Sequence, residues 1–196
     1  MSTPAIPAVK VLCEGFLVRE GSRVLDASST VSLVSGSCGD ILVDTGAAHH
    51  RDDLLSALST SGLSPSSVGA LVNTHPHADH CGNNELFGRA RFYAHRSEHP
   101  SIGTVRVDDG TSLGSGVSLV PTPGHTEGSV TVFVESDLRY AICGDAIPTK
   151  ANYDSRTPPA VNIDPGLALA SLDLISSWAH VVVPGHGPPF RTIGKK

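Results

Sequence analysis

The chain has 196 residues, 39% of them hydrophobic and 17% charged, which fits one domain (residues 1–196) with a sizeable core and excludes a disordered chain. A formal net charge of −5 argues against broad electrostatic attraction to nucleic acid or anionic membrane. Bound metal ions would add local positive charge that this count omits, so a nucleic-acid substrate stays open.

Residues 1–7 carry neither the basic nor the apolar stretch of a secretory signal, and no apolar run approaches the roughly 20 residues of a membrane helix. The expectation is a cytoplasmic protein without membrane contact. Cys13, Cys38, Cys81 and Cys143 are widely spaced and form no Cys-x-x-Cys pair, so free thiols are expected. Cys81, next to His80, is a candidate metal ligand, but a small packed residue is the better reading.

In chain order, apolar or alternating runs over 9–18, 24–34 and 41–43 predict a β-meander with turns at 21–22 and 36–39. Residues 50–63 predict a helix, because Leu54, Leu55 and Leu58 recur at helical spacing and Gly62 can cap its end. Residues 68–73 predict a short buried strand. The second half repeats the plan, with strands over 90–94, 104–107, 117–120, 130–134, 140–143 and 181–183. Residues 165–178 predict a helix with Asp164 as N-cap and Pro165 at its first position. Residues 147–161, with Pro148, Pro158 and Pro159, predict a long functional loop. Strands, helix and strand, repeated, imply two sheets face to face with helices outside: an α/β (α+β) chain built as an αββα sandwich.

The chemistry concentrates in Thr74-His75-Pro76-His77-Ala78-Asp79-His80. Imidazole nitrogen and carboxylate oxygen are ligands of divalent transition metals. These four groups cannot all bind one ion and leave a position open for substrate. Two adjacent ions are implied, each needing ligands from elsewhere. Val43-Asp44-Thr45-Gly46, Pro123-Gly124-His125-Thr126, Gly144-Asp145 and Pro184-Gly185-His186-Gly187 each follow a strand-like run, where functional loops tend to sit. Each alone reads as a turn; together with the histidine run they read as a metal site. His49, His50, His95, His99 and His180 lack that context. The first two flank the helix start, and the others look like surface or packing residues.

With these five motifs in this order over nearly its whole length, the chain resembles the metallo-β-lactamase superfamily. The resemblance implies that His75, His77 and His125 hold one metal and that Asp79, His80 and His186 hold a second. Asp145 would bridge both, and Asp44 would orient ligands through hydrogen bonds. Two divalent ions, zinc foremost and iron as the alternative, would sit about 3.5–4 Å apart and generate a nucleophile from water. Asp79 would also orient or deprotonate that water.

Such membership sets the metal core and not the substrate. Asp145, where the commonest zinc β-lactamases carry cysteine, points away from that activity. About 40 residues separate Asp145 from His186, and 10 follow His186. The expectation is a protein with neither the inserted nuclease domain nor the C-terminal helical domain of glyoxalase II. The stretches 162–165 and 181–191 are similar to a small eukaryotic branch of the superfamily. The chain departs from it at Pro76, where glycine is expected, and at Thr126-Glu127-Gly128. The branch implies a zinc-dependent, homodimeric endoribonuclease acting on RNA in histone pre-mRNA 3′-end processing, in cytoplasm or nucleus. Lys150, Arg156 and Arg191 are the cations nearest the motif loops; they could contact phosphate, and ordinary solvated charge is at least as good a reading. No basic surface interleaved with aromatics stands out. The alternatives are a glyoxalase II-type hydrolase of a small thioester and a mono-iron persulfide dioxygenase. A binding protein without activity is the weakest reading, since every expected ligand is present.

Overall fold

The computed structural model describes residues 6–192 apart from 38, 102, 109 and 115. The expectations for residues 1–5 and for the Cys38 thiol lie outside the described residues. The first half runs β1 (Ala8–Cys13), β2 (Phe16–Glu20), β3 (Arg23–Ser28), β4 (Val31–Gly36), β5 (Gly39–Val43), α1 (Arg51–Thr60), β6 (Ala70–Val72), α2 (Ala78–Cys81), β7 (Arg91–His95) and β8 (Val105–Val107). The second runs β9 (Thr111–Gly114), β10 (Val117–Pro121), β11 (Val130–Glu135), β12 (Arg139–Gly144), α3 (Lys150–Ser155), α4 (Pro165–Trp178), β13 (Val181–Pro184) and β14 (Phe190–Arg191).

Two six-stranded sheets result, ordered β1-β4-β5-β6-β7-β8 and β14-β13-β12-β11-β10-β9. The period of two along each strand explains the layers. Ile41 and Val43 of β5 join Val130, Val132 and Val134 of β11 in the core between the sheets. Leu42, pointing the other way, packs with Leu54 and Leu58 of α1, and Phe133 packs with Leu172 and Ile175 of α4. The expected αββα sandwich is the observed fold.

β5 and β6 run parallel in one sheet, and β12 and β13 run parallel in the other. Each of these strands ends in a motif loop: Asp44 after β5, residues 74–80 after β6, Asp145 after β12 and His186 after β13.

Several expectations need correction. Runs 9–18 and 24–34 are each two strands. The chain leaves the sheet at Gly15, where an added Cβ would lie 2.4 Å from Thr30 N and 2.5 Å from Gly185 O. Thr30 in turn donates its N–H to Gly185 O (2.7 Å), so β2 and β3 form a separate hairpin between two pinned points. The predicted loop over 147–161 contains α3, started by Thr149, whose hydroxyl accepts from Asn152 N–H. Its prolines all lie outside the helix. The predicted helix 50–63 is a 3-10 turn (Ala48–His50) followed by α1, with Gly62 at φ +73° beyond its end. Strands β9 and β14 were not foreseen. Helix α4 has the predicted bounds and cap. Among the described residues no helix is long and apolar enough to cross a membrane.

Phe87 is fully buried with Leu54, Leu58 and Leu71 between α1 and the first sheet. Phe87→Ala should lower the unfolding free energy by about 3–5 kcal/mol in urea denaturation. An unchanged midpoint would contradict this packing.

Candidate metal centre

The motif loops bring the predicted ligands together as two groups joined by one carboxylate. In the first, His75 Nε2 lies 3.0 Å from His77 Nδ1, His125 Nε2 lies 3.2 Å from His75 Nε2, and His125 Nε2 lies 3.0 Å from His77 Nδ1. Ligand nitrogens about 2.0–2.1 Å from a tetrahedral zinc would stand about 3.3 Å apart. The three rings meet edge to face, at 83°, 90° and 89°.

In the second group, His186 Nε2 is 3.5 Å and His80 Nε2 4.0 Å from Asp79 Oδ2. Asp145 stands between the groups. Its Oδ1 is 3.4 Å from both His80 Nε2 and His186 Nε2, and its Oδ2 is 3.5 Å from His125 Nε2.

The donor set fits divalent ions on an observation internal to the site. His80 Nε2 and Asp145 Oδ1 are buried and make no hydrogen bond. Orphaned polar atoms of this kind cost roughly 1–3 kcal/mol each. A cation between them would satisfy both.

The electrostatics agree. Burial holds His75 well below the ordinary histidine range, with His80 next to it adding to the effect. Burial and then His125 lower His77 in the same way. Both rings therefore offer lone pairs at neutral pH. Burial opposes charge on His80, but Asp44 and Asp145 override it and raise the ring well above its ordinary value. Burial likewise opposes charge on His186, and Asp145 overrides it. Burial opposes ionisation of Asp145, yet His80 and His186 hold its carboxyl well below the carboxylate range. A field that keeps protons on His80 and His186 favours a metal cation in their place.

On four of the five histidines the remaining ring nitrogen is fixed from behind. His80 Nδ1–H donates to Asp44 Oδ2 (2.8 Å), His125 Nδ1–H to Val161 O (2.6 Å), and His186 Nδ1–H to Ser28 O (3.0 Å). His75 Nδ1–H donates to Thr74 Oγ1 (3.1 Å), whose hydroxyl donates to Asp44 Oδ2 (2.7 Å). Asp44 Oδ1 also accepts the Thr74 N–H (2.8 Å). Asp44 is buried and sits at φ +59°, a region Asp tolerates better than most residues. It thus holds two histidines, one directly and one through Thr74. Thr74 was seen in the sequence only as the start of the histidine run, and its role has no sequence signal beyond that adjacency.

Above the centre lies a cleft of about 580 Å³. Its walls are Leu17, Arg19, Val24 and Ala27 of the β2–β3 hairpin, and Pro148, Thr149, Asn152, Pro159, Ala160 and Val161. The hairpin's part was not read from sequence. Lys150 and Arg156 are ion-paired with Asp154 and Asp173, and neither they nor Arg191 line the cleft; among the described Lys and Arg residues Arg19 does. Cys81 donates its S–H to carbonyl oxygens of Pro76 and His77 and, among the described residues, joins no ligand group, as a packed residue does. Cys13, Cys81 and Cys143 are free thiols.

The Metallo-beta-lactamase superfamily profile matches residues 25–105. The "Probable metallo-hydrolase" of Methanocaldococcus jannaschii is 35% identical over 91% of this chain and 86% of its own. This chain belongs to the metallo-β-lactamase superfamily. Metallo-beta-lactamase domain-containing protein 1 of Xenopus laevis is 32% identical over 95% of this chain and 82% of its own. The N-acyl homoserine lactonase of Bacillus thuringiensis is 27% identical over 69% and 62%. Among solved structures, the "putative metallo-beta-lactamase" of Thermotoga maritima superposes with a TM-score of 0.79 at 22% identity, over 95% of this chain and 99% of its own. The protein is a metallo-hydrolase of this superfamily, whose members bind one or two divalent ions.

Asp44→Asn keeps a residue that tolerates the left-handed backbone but presents an amide to the His80 Nδ1–H. Metal affinity should fall about 10–100-fold in a competitive chelator titration. Unchanged affinity would show that Asp44 does not orient the ligands.

Proposed function

We propose that this metallo-hydrolase holds two divalent ions, zinc foremost, and hydrolyses small carboxylic esters, lactones and thioesters included. The ligands would be His75, His77 and His125 for one ion and Asp79, His80 and His186 for the other, with Asp145 shared. The observation that carries the substrate class is the cleft. Its volume of about 580 Å³ lies in the range of small-molecule sites, and beyond the candidate ligands its walls are mostly apolar; among the described residues they include no Phe, Tyr or Trp, and Arg19 is their one Lys or Arg.

Divalent ions bound there would supply Lewis acidity and bring the pKa of water from 15.7 down to about 7. The chain's own groups then divide the work. Asp79 is the more exposed of the cleft carboxylates, at 28% for its side chain against 12% for Asp145. Asp79 would take the proton of the attacking water and return it to the departing alcohol or thiol. Leu17, Val24 and Val161 would hold the acyl chain and keep water from it. The paired ligand groups favour this over the mono-iron persulfide dioxygenase.

The second reading is the endoribonuclease, with its homodimer and its cytoplasmic or nuclear setting. Its support is the likeness to the small eukaryotic branch, and Arg19 on the cleft wall could meet a phosphate. Among the described residues the walls hold none of the aromatic stacking platforms that single-stranded RNA uses.

The deciding assay offers the zinc-loaded protein and its His77→Ala variant an N-acyl homoserine lactone, a glutathione thioester and a labelled single-stranded RNA. Turnover of the lactone or thioester by the parent, lost in the variant, is expected. RNA cleavage with both esters untouched would overturn the ester reading in favour of the nuclease.

A further inference from the structure

His49 and His50, which the metal centre leaves unused, converge on Asp26. His49 Nε2 lies 2.8 Å from Asp26 Oδ1, and His50 Nε2 lies 3.5 Å from Asp26 Oδ2. The three ligand atoms lie within 4.8 Å of one another. The two histidines come from the 3-10 turn that precedes α1, and Asp26 comes from β3 of the hairpin.

His50 is the informative member. Its Nδ1–H donates to Asp53 Oδ2 at 3.1 Å, since a carboxylate can only accept. In the neutral ring this leaves the Nε2 lone pair facing the Asp26 carboxylate. That nitrogen is buried and makes no hydrogen bond. An edge-to-face contact with Phe16, centroids 5.0 Å apart at 84°, fixes the ring. A histidine held from behind by a carboxylate, with its free nitrogen aimed at a second acidic group, is arranged as a metal-ligating histidine is. A cation at Nε2 resolves the conflict.

We propose that Asp26, His49 and His50 form a separate divalent-metal site that ties the β2–β3 hairpin to the start of α1. Two imidazoles and one carboxylate select zinc, cobalt or nickel over magnesium or calcium. The ion takes the place of the proton that His49 shares with Asp26. Three protein ligands at a half-exposed position leave the rest of the coordination to water, so affinity is below that of the cleft. Because Leu17, Arg19, Val24 and Ala27 sit on the same hairpin, the ion would also fix one wall of the cleft.

The test titrates metal-stripped protein with zinc alone and counts equivalents by calorimetry, for the parent, Asp26→Asn and His49→Ala, each made both with and without His77→Ala. The parent should bind one weak equivalent more than either single variant, and the same difference should persist in the His77→Ala background. Equal stoichiometry in parent and variants would overturn the site. A failure of the cleft reading shows separately, as a His77→Ala change that removes no zinc. Circular dichroism checks folding; His49, with 63% of its side chain exposed, decides the result should Asp26→Asn unfold.

Discussion

The buried carboxylate of Asp44 is the constraint on which the site turns. It accepts hydrogen bonds from the Thr74 N–H, the Thr74 hydroxyl and His80 Nδ1–H. A carboxylate at 2% exposure would be costly alone; here its lone pairs are met by groups that must themselves be aligned. One residue at the end of β5 thereby sets the first turn of the loop after β6. The φ of +59° is the local cost, and Asp is among the few side chains that accept it.

The two sheets are joined at the same end by a second set of contacts. Val130 donates its N–H to Thr74 O (2.9 Å), and Thr30 donates to Gly185 O (2.7 Å). Histidines of the second sheet lean on carbonyls elsewhere, His186 on Ser28 and His125 on Val161. Gly185 shows how tight the closure is, since a Cβ there would lie 2.0 Å from Asp145 Oδ1. The Asp145 carboxylate is positioned by backbone that no larger residue could occupy. Packing, hydrogen bonding and charge thus converge on one geometry, the condition under which a site is preorganised.

The candidate ligands that the fold brings together were readable from the sequence because metal chemistry admits few residue types, and because four of them fall within residues 75–80. Helix α4 was readable for a local reason: Asp164 and Pro165 specify its start within the segment. What was hidden is non-local. The breaks at Gly15 and Thr30 depend on Gly185, near the other end of the chain, so no period in the early strands reveals them. The hairpin's place on the cleft follows from those breaks. Helix α3 was masked by prolines that flank it without entering it. Lys150 and Arg156 looked available for phosphate until Asp154 and Asp173 were seen to engage them. His49 and His50 had no visible partner because Asp26 sits on another element.

The proposed chemistry needs two ions sharing Asp145 in the cleft. Crystals of the zinc-loaded protein, measured at the zinc absorption edge, test this most directly. Two anomalous peaks are predicted in the cleft, one amid His75, His77 and His125 and one amid Asp79, His80 and His186, with an oxygen of Asp145 on each. A single peak there, or an Asp145 carboxylate turned away from both, would contradict it.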